Sequence, residues 1–317
     1  MRALDELMVL VAFMSNMRGL LLYDVIVIGA GPAGNIAAIR LSKMGHRVVG
    51  LDRRENLGDK LCTGIVGREC VERFPPDDVD IYQGARSAIV IAPSGKHHRI
   101  VKDEPQAYII NRVAFVTSLA KRASEAGAIY RLGEKVSEIT CDSRSVNVRT
   151  ILKSGAMCYQ ARVVIIASGF ASPLLRQVGL DNGINADHMV GCQAEVETCG
   201  LEETEVYLGD AIAPGSFGWL VPLIGSRAFV GLVSRHKLNG HMRDFMSELE
   251  LNGKVKSVIK KPARWGIPIK PIPKTYGNRV IVTGDAAGLV KPTTGGGIYY
   301  ALMSGEMAVD TVQEAFE

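Results

Sequence analysis

An α/β fold, in which a parallel nucleotide-binding sheet is interleaved with a second, antiparallel sheet, is predicted by three features of the sequence. A short apolar run, Val25 to Ile28, leads straight into the glycine turn Gly29-Ala30-Gly31-Pro32-Ala33-Gly34 and a helix. Another apolar run, Arg279 to Thr283, ends in Gly284-Asp285 about 250 residues later. Between them, from about Val190 to Val233, apolar and polar residues alternate among Gly and Pro turns, as antiparallel strands do. Continuous apolar runs mark parallel strands covered on both faces. The parallel fold is therefore split, and the second sheet is inserted into it.

The elements follow in order. Gly29 permits the tight turn after the first strand, Gly31 lets the backbone approach a pyrophosphate, and Gly34 lets the helix pack close to the strand. The helix, Ala33 to Met44, offers free N–H groups and a positive dipole end to phosphates, and Gly45 ends it. Arg47 to Leu51 forms the second strand. Asp52 at its end is placed to accept hydrogen bonds from ribose hydroxyls, and Arg53 with Arg54 can help hold the adenosine end. Ser87–Ile91 and His98–Val101 flank an Ala-Pro-Ser-Gly turn and read as a hairpin. Asn111 to Ala126 is an amphipathic helix, followed by strands at 128–132, 136–141, 146–152, 156–164 and the buried 163–167. His241 to Leu251 is a helix, and Gly296 to Phe316 a long closing one. The expected division is an irregular extension over 1–22, a discontinuous nucleotide-binding domain over 23–86, 106–185 and 272–317, and a substrate domain over 87–105 and 186–271.

With 317 residues, 47% hydrophobic and 22% charged, the chain can bury a substantial core. A formal charge of +4 gives no argument for nucleic acid. Six cysteines without any C-x-x-C spacing, and scattered histidines, point to no metal or iron–sulfur cluster and to a reducing, cytoplasmic setting. Leu7 to Met14 is too short to span a bilayer, and the first sixteen or so residues read as a ragged start with Met14 or Met17 as alternative initiators.

Val280 to Ala301, VIVTGDAAGLVKPTTGGGIYYA, is the second constellation. Asp285 can bind a ribityl hydroxyl or a pyrophosphate-bound water. Gly295-Gly296-Gly297 lets the backbone press against a flat ring while the helix N-terminus aims its positive end at the ligand. That suits a flavin better than a nicotinamide, because reduction places negative charge on the pyrimidine edge. A charge-assisted contact there is worth roughly 1.5–3 kcal/mol.

GAGPAG with Asp52, Arg112 opening a helix, IIASG at 165–169, and GDAAG with PTTGGG together resemble the para-hydroxybenzoate-hydroxylase-like FAD enzymes, of the same Rossmann-like type as glutathione reductase. Within them the chain is most similar to the geranylgeranyl reductase family, whose Cys-containing loop matches Lys60-Leu61-Cys62-Thr63-Gly64. That family's aromatic–x–Trp–x–x–Pro signature matches Phe217-Gly218-Trp219-Leu220-Val221-Pro222. The resemblance implies FAD contacts at Gly29, Gly31, Ala33, Gly34, Asp52, Arg53, Cys62, Thr63, Gly64, Arg112, Val136, Gly284, Asp285, Gly296, Gly297 and Ile298. It implies reduction of isolated carbon–carbon double bonds in a polyprenyl lipid by hydride from reduced flavin. Two departures stand out: Val116 replaces the acidic residue that commonly follows Phe115, and relatives usually continue beyond the closing helix, which implies either a truncated sequence or a shorter enzyme with an open substrate site.

An unactivated double bond needs a placed flavin, a proton donor and an apolar tunnel. Cys62, Tyr299 or water are the donor candidates. Phe217, Trp219, Pro222 and Trp265 are candidates for the tunnel wall. No second glycine fingerprint appears, so the electron donor docks transiently: NAD(P)H, ferredoxin or a reduced deazaflavin. Peripheral contact with a membrane is expected, and the oligomeric state is left open. A flavin monooxygenase and a non-enzymatic carrier of prenylated partners are the alternative functions on the same fold.

Overall fold

The computed structural model describes residues 21–58, 61–77, 80–180, 187–236, 238 and 240–317. The first twenty residues, including the proposed alternative initiators, lie outside the described residues. Leu21 and Leu22, expected in an irregular extension, instead pair in parallel with Tyr159 and Gln160.

A six-stranded sheet forms the centre, in the order Tyr276–Gly277, Val280–Val282, Val163–Ile166, Val25–Ile28, Val48–Asp52, Ile129–Leu132. Every pair is parallel except the first. All residues of Val25–Ile28, Val48–Asp52 and Val163–Ile166 are buried, which explains their unbroken apolar runs. On one face Val25 and Val27 meet the helix Pro32–Lys43 and the closing helix Ile298–Phe316. On the other, Ile26 and Ile28 meet Val146, Val148 and Tyr159 of a four-stranded sheet. The two helices approach closely at Gly305, where a Cβ would lie 2.4 Å from Ile36 Cγ2. The chain leaves Val25–Ile28 to one side for Val48–Asp52 and returns on the other side at Val163–Ile166. The carboxyl end of Val25–Ile28 is therefore a topological switch point, where α/β folds open a ligand crevice.

The second sheet has seven strands, in the order Val255–Pro268, His188–Thr198, Arg227–Ser234, Phe217–Pro222, Thr204–Leu208, Ser87–Ile91, His97–Val101. The expected hairpin joins it, but through a parallel pairing of Ser87–Ile91 with Thr204–Leu208, so the sheet is not wholly antiparallel. One face packs on the helix His241–Leu251, and on the other Met189, Trp219, Val221 and Ile267 pack with Ile109 and Val290. The fourteen-residue strand Val255–Pro268 has no counterpart among the expected elements. Lys256 to Pro262 are exposed throughout, so no alternation of apolar and polar residues marks them. A three-stranded sheet of Ile65–Gly67, Ala107–Ile110 and Ile81–Ala85 fills the corner between the larger sheets.

Candidate active site

The crevice at the switch point is a cleft of about 400 Å³. Its floor is the glycine turn Gly29 to Ala33. One side comes from Asp52, Arg53 and Arg54, the other from Gly284, Asp285, Gly295, Gly297 and Ile298. Cys62 and Arg112 close one end, and Trp265 with Gly266 form a roof supplied by the seven-stranded sheet. A recess of about 100 Å³, lined by Asp52, Arg53, Val136 and Ser168, extends it.

The two glycines of the turn act differently. Gly29 has φ +107°, and a Cβ there would sit 2.3 Å from the Ala167 carbonyl oxygen. Gly34 is locked against the same turn, its absent Cβ lying 1.8 Å from the Gly29 carbonyl oxygen. Gly31, by contrast, has φ −85°, and nothing of the protein lies within 4 Å of its absent Cβ. The buried Asp52 carboxylate braces the turn: Ala30 N donates to its Oδ2 at 2.8 Å and Arg54 N to its Oδ1 at 2.9 Å. Asn35 Nδ2 donates to the carbonyls of Ala30 at 3.2 Å and Val116 at 3.1 Å, tying the turn to the neighbouring helix. Arg112 Nη1 donates to the Gly58 carbonyl at 2.8 Å and fixes the loop that carries Cys62. Neither the helix starting at Pro32 nor the one starting at Ile298 has a side-chain cap, so both N-termini present N–H groups to the cleft. The closing helix starts at Ile298 rather than Gly296: Gly295, at φ +69°, follows the turn over 292–294, and Gly297 is the N-cap.

A second cavity, of about 490 Å³, meets the cleft at Gly58, Leu61, Cys62 and Arg112. Tyr82, Ile110, Leu223, Ile224 and Phe229 line it, with Gln193, Glu195, Arg227, Lys260 and Lys261 toward its polar side. Cys62 stands at the junction, half-buried, its Sγ accepting from Gly64 N at 3.4 Å. Two other cysteines, Cys70 and Cys192, are buried, and burial pushes the Cys70 thiol up to about 12 and raises that of Cys192.

Of the expected residues, Gly29, Gly31, Ala33, Asp52, Arg53, Cys62, Arg112, Gly284, Asp285, Gly297 and Ile298 line the cleft, and Val136 lines its recess. Gly34 and Gly64 do not. They are packing glycines, the latter with φ +75° and a Cβ position 2.4 Å from the Ile110 carbonyl oxygen. Thr63 turns away and donates to Gln193 Oε1 at 2.7 Å. Gly296 does not line the cleft either. Tyr299 is not brought to it: one residue past Ile298 rotates the side chain toward Phe74, whose ring centroid is 6.2 Å away. Phe217 and Trp219 pack together in the inter-sheet core without lining either cavity, and Pro222 lies with Leu220 on the opposite face of their strand. The wall of the second cavity is instead Leu223 and Phe229, the next residues along the same face. Their signal was the run of alternation continuing past the signature. Lys260-Lys261 shows in the sequence only as a short basic pair, of a kind that more often marks a solvated face than a phosphate patch, and Glu195 carried no motif.

The family described as lycopene cyclase protein matches residues 24–316. Digeranylgeranylglycerophospholipid reductase 2 of Methanopyrus kandleri is 31% identical over 93% of this chain and 78% of its own length. The digeranylgeranylglycerophospholipid reductase of Methanocaldococcus jannaschii is 30% identical with the same coverage. The chain belongs to the geranylgeranyl reductase family. It falls equally within the lycopene cyclase protein family, which spans both sheets. A geranylgeranyl bacteriochlorophyll reductase-like protein of Thermoplasma acidophilum superposes with a TM-score of 0.87 at 25% identity, covering 94% of this chain and 79% of that one. The p-nitrophenol 4-monooxygenase of Pseudomonas putida, with a TM-score of 0.76 at 17% identity, shares the fold alone.

The protein is an FAD-dependent oxidoreductase of this family, and the cleft fits that cofactor. Gly31 has an ordinary φ and open space around it, so no contact within the protein requires a glycine there. The open space over it leaves room for a ligand to lie against the backbone. Among the described residues no helix is long and apolar enough to cross a membrane.

Proposed function

We propose that the apolar second cavity receives a polyprenyl chain, and that its double bonds are reduced where the cavity meets the cleft at Cys62. The joining of the two cavities at that residue carries the reading. When bound, FAD in its reduced form supplies the hydride. Gly31 and Ala33, at the uncapped start of the helix, would hold the pyrophosphate. Asp52, already braced by two N–H donors, takes the ribose hydroxyls with its remaining lone pairs. Asp285 would hold the ribityl chain, and the uncapped N-terminus at Ile298 would stabilise negative charge on the reduced ring. Val136 borders the adenine recess.

The chain's own residues supply the rest. Tyr82, Leu223 and Phe229 exclude water around the chain, each buried CH₂ contributing about 0.8 kcal/mol. Cys62 donates the proton that completes saturation, from the cavity side of the junction. Electrons arrive from a donor that docks transiently, whether NAD(P)H, ferredoxin or a reduced deazaflavin. The substrate reaches the protein at the cytoplasmic face of a membrane, without a span of the described chain crossing it.

The test is anaerobic. Dithionite-reduced holoprotein mixed with a geranylgeranyl lipid is expected to reoxidise while product mass rises by two hydrogens per bond. The Cys62→Ser variant should retain FAD but reduce the lipid on the order of 100-fold more slowly, as loss of a positioned acid does. An unchanged rate would assign the proton to water. A reduced protein that ignores the lipid yet consumes oxygen in step with a hydroxylated product would favour the monooxygenase.

A further inference from the structure

The second cavity is apolar inside and basic at its rim, and the rim is built rather than incidental. Strand Val255–Pro268 is an edge strand, and in a regular pleat Lys260 and Lys261 would point to opposite faces of the sheet. Its register against His188–Thr198 breaks twice at this point: Gln193 pairs with Ala263, Glu195 with Lys260, and Val196 with Val258. Each break places an extra residue on the edge strand, a bulge on either side of Lys260. Both lysines consequently line the same cavity.

Glu195, only 3% exposed, anchors the arrangement from below. Arg227 Nε donates to its Oε1 at 2.6 Å, and Lys260 Nζ lies 2.8 Å from its Oε2. The two cations keep most of their own surface in solvent, with 53% and 74% of their side chains exposed. Lys261 makes no ion pair among the described residues. Three cations against one carboxylate leave a local charge of +2 over the mouth of an apolar cavity. Lysines on an edge strand commonly serve to block strand addition. That role needs neither a double bulge nor a buried carboxylate holding two cations at one opening.

We propose that Arg227, Lys260 and Lys261 form a phosphate-binding rim that takes the anionic headgroup of the lipid whose chain fills the cavity. The inference rests on the reading of the cavity as the polyprenyl site. Glu195 acts as a positioning residue, fixing Arg227 and Lys260 at the rim while Lys261 supplies the unpaired charge. The headgroup sets how far the chain can enter, and hence which double bond stops beside Cys62.

The test is equilibrium binding to the holoprotein, comparing geranylgeranyl phosphate with geranylgeraniol in the same nonionic micelles by titration calorimetry. The alcohol is the internal reference within each protein. In the wild type the phosphate ester should bind about tenfold tighter or more, as expected of charge-assisted contacts at a half-exposed site. In Lys260→Gln/Lys261→Gln that ratio should fall to about one to threefold, and Lys260→Arg/Lys261→Arg should restore it. A ratio that persists in the glutamine variant, or is absent in the wild type, overturns the proposal. So does loss of binding to prenyl-free phosphatidylglycerol vesicles with the micelle ratio intact, which would assign the lysines to a bilayer surface. Failure of the underlying reading looks different: geranylgeraniol would neither bind nor reoxidise the reduced flavoprotein, in wild type or variant.

Discussion

Gly31 and Gly34 stand three residues apart in one motif, yet the structure gives them opposite tolerances. A methyl at Gly31 meets no protein atom and no strained φ, so Gly31→Ala should fold with an unchanged apoprotein Tm. It should weaken FAD binding about tenfold, the equivalent of about 1.4 kcal/mol lost where the backbone meets the pyrophosphate. A methyl at Gly34 would sit 1.8 Å from the Gly29 carbonyl oxygen, a backbone atom that cannot rotate aside. Gly34→Ala should therefore lower the apoprotein's own stability by about 3 kcal/mol, the upper end for overpacking. Apoprotein calorimetry and FAD titration on the two variants separate the effects. Equal loss of apoprotein stability in both would remove the assignment of Gly31 to the ligand. At this scale the turn was legible in the sequence, because glycine spacing reports backbone approach. Tyr299 was not, because glycine spacing marks where the helix begins but not which of its first side chains faces the ligand: successive residues diverge by about 100°, so Ile298 lines the cleft and Tyr299 turns toward Phe74.

Among the elements, the hairpin Ser87–Ile91 and His97–Val101 depends on chemistry that its own sequence does not contain. Its first strand joins Thr204–Leu208 in parallel, and Glu203, just before that strand, receives Arg99 and Ser87 together. The Arg99 guanidinium, followed by the Ser87 hydroxyl, holds the Glu203 carboxyl down at about 2 against an ordinary 4.5. A depressed folded-state value means the stabilisation is complete above pH 4.5 and fades as pH falls toward 2, where the carboxylate protonates even when folded. Glu203→Gln should thus be less stable than wild type near neutral pH, with the gap closing across that acid window in urea denaturation. A constant gap would place the destabilisation in lost packing instead. Elements with one buried face, such as Arg112–Glu125 and His241–Leu251, were readable by period, each with its apolar stripe on a core. Val255–Pro268 was not: an edge strand exposed over Lys256 to Pro262 and broken by three bulges has no period to read. The rim of the second cavity therefore showed only as a short basic pair, whereas the cleft showed as two motifs.

At the scale of the molecule, the chain passes between the two large sheets repeatedly, entering the seven-stranded one at Ser87, leaving after Val101, re-entering at His188 and leaving after Pro268. Neither sheet is complete without a segment delivered from the far side. The seven-stranded sheet takes its outer hairpin from upstream of Val163–Ile166, and the parallel sheet takes Val280–Val282 from downstream of Val255–Pro268. The inner face of the seven-stranded sheet packs in one apolar core, in which Met189, Trp219 and Ile267 meet Ile109 of the three-stranded sheet and Val290 of the loop before the closing helix. Because each large sheet is completed by segments that return from the other, the two should unfold as one unit although the chain exceeds the usual size for two-state behaviour. The two tryptophans, Trp219 and Trp265, both belong to the seven-stranded sheet, while bound flavin reports on the parallel sheet and its crevice. In guanidinium titration of the holoprotein, tryptophan emission and release of flavin fluorescence should therefore trace one transition with one midpoint. Flavin release well before the tryptophan change would mean that the crevice opens on its own while the seven-stranded sheet stays folded.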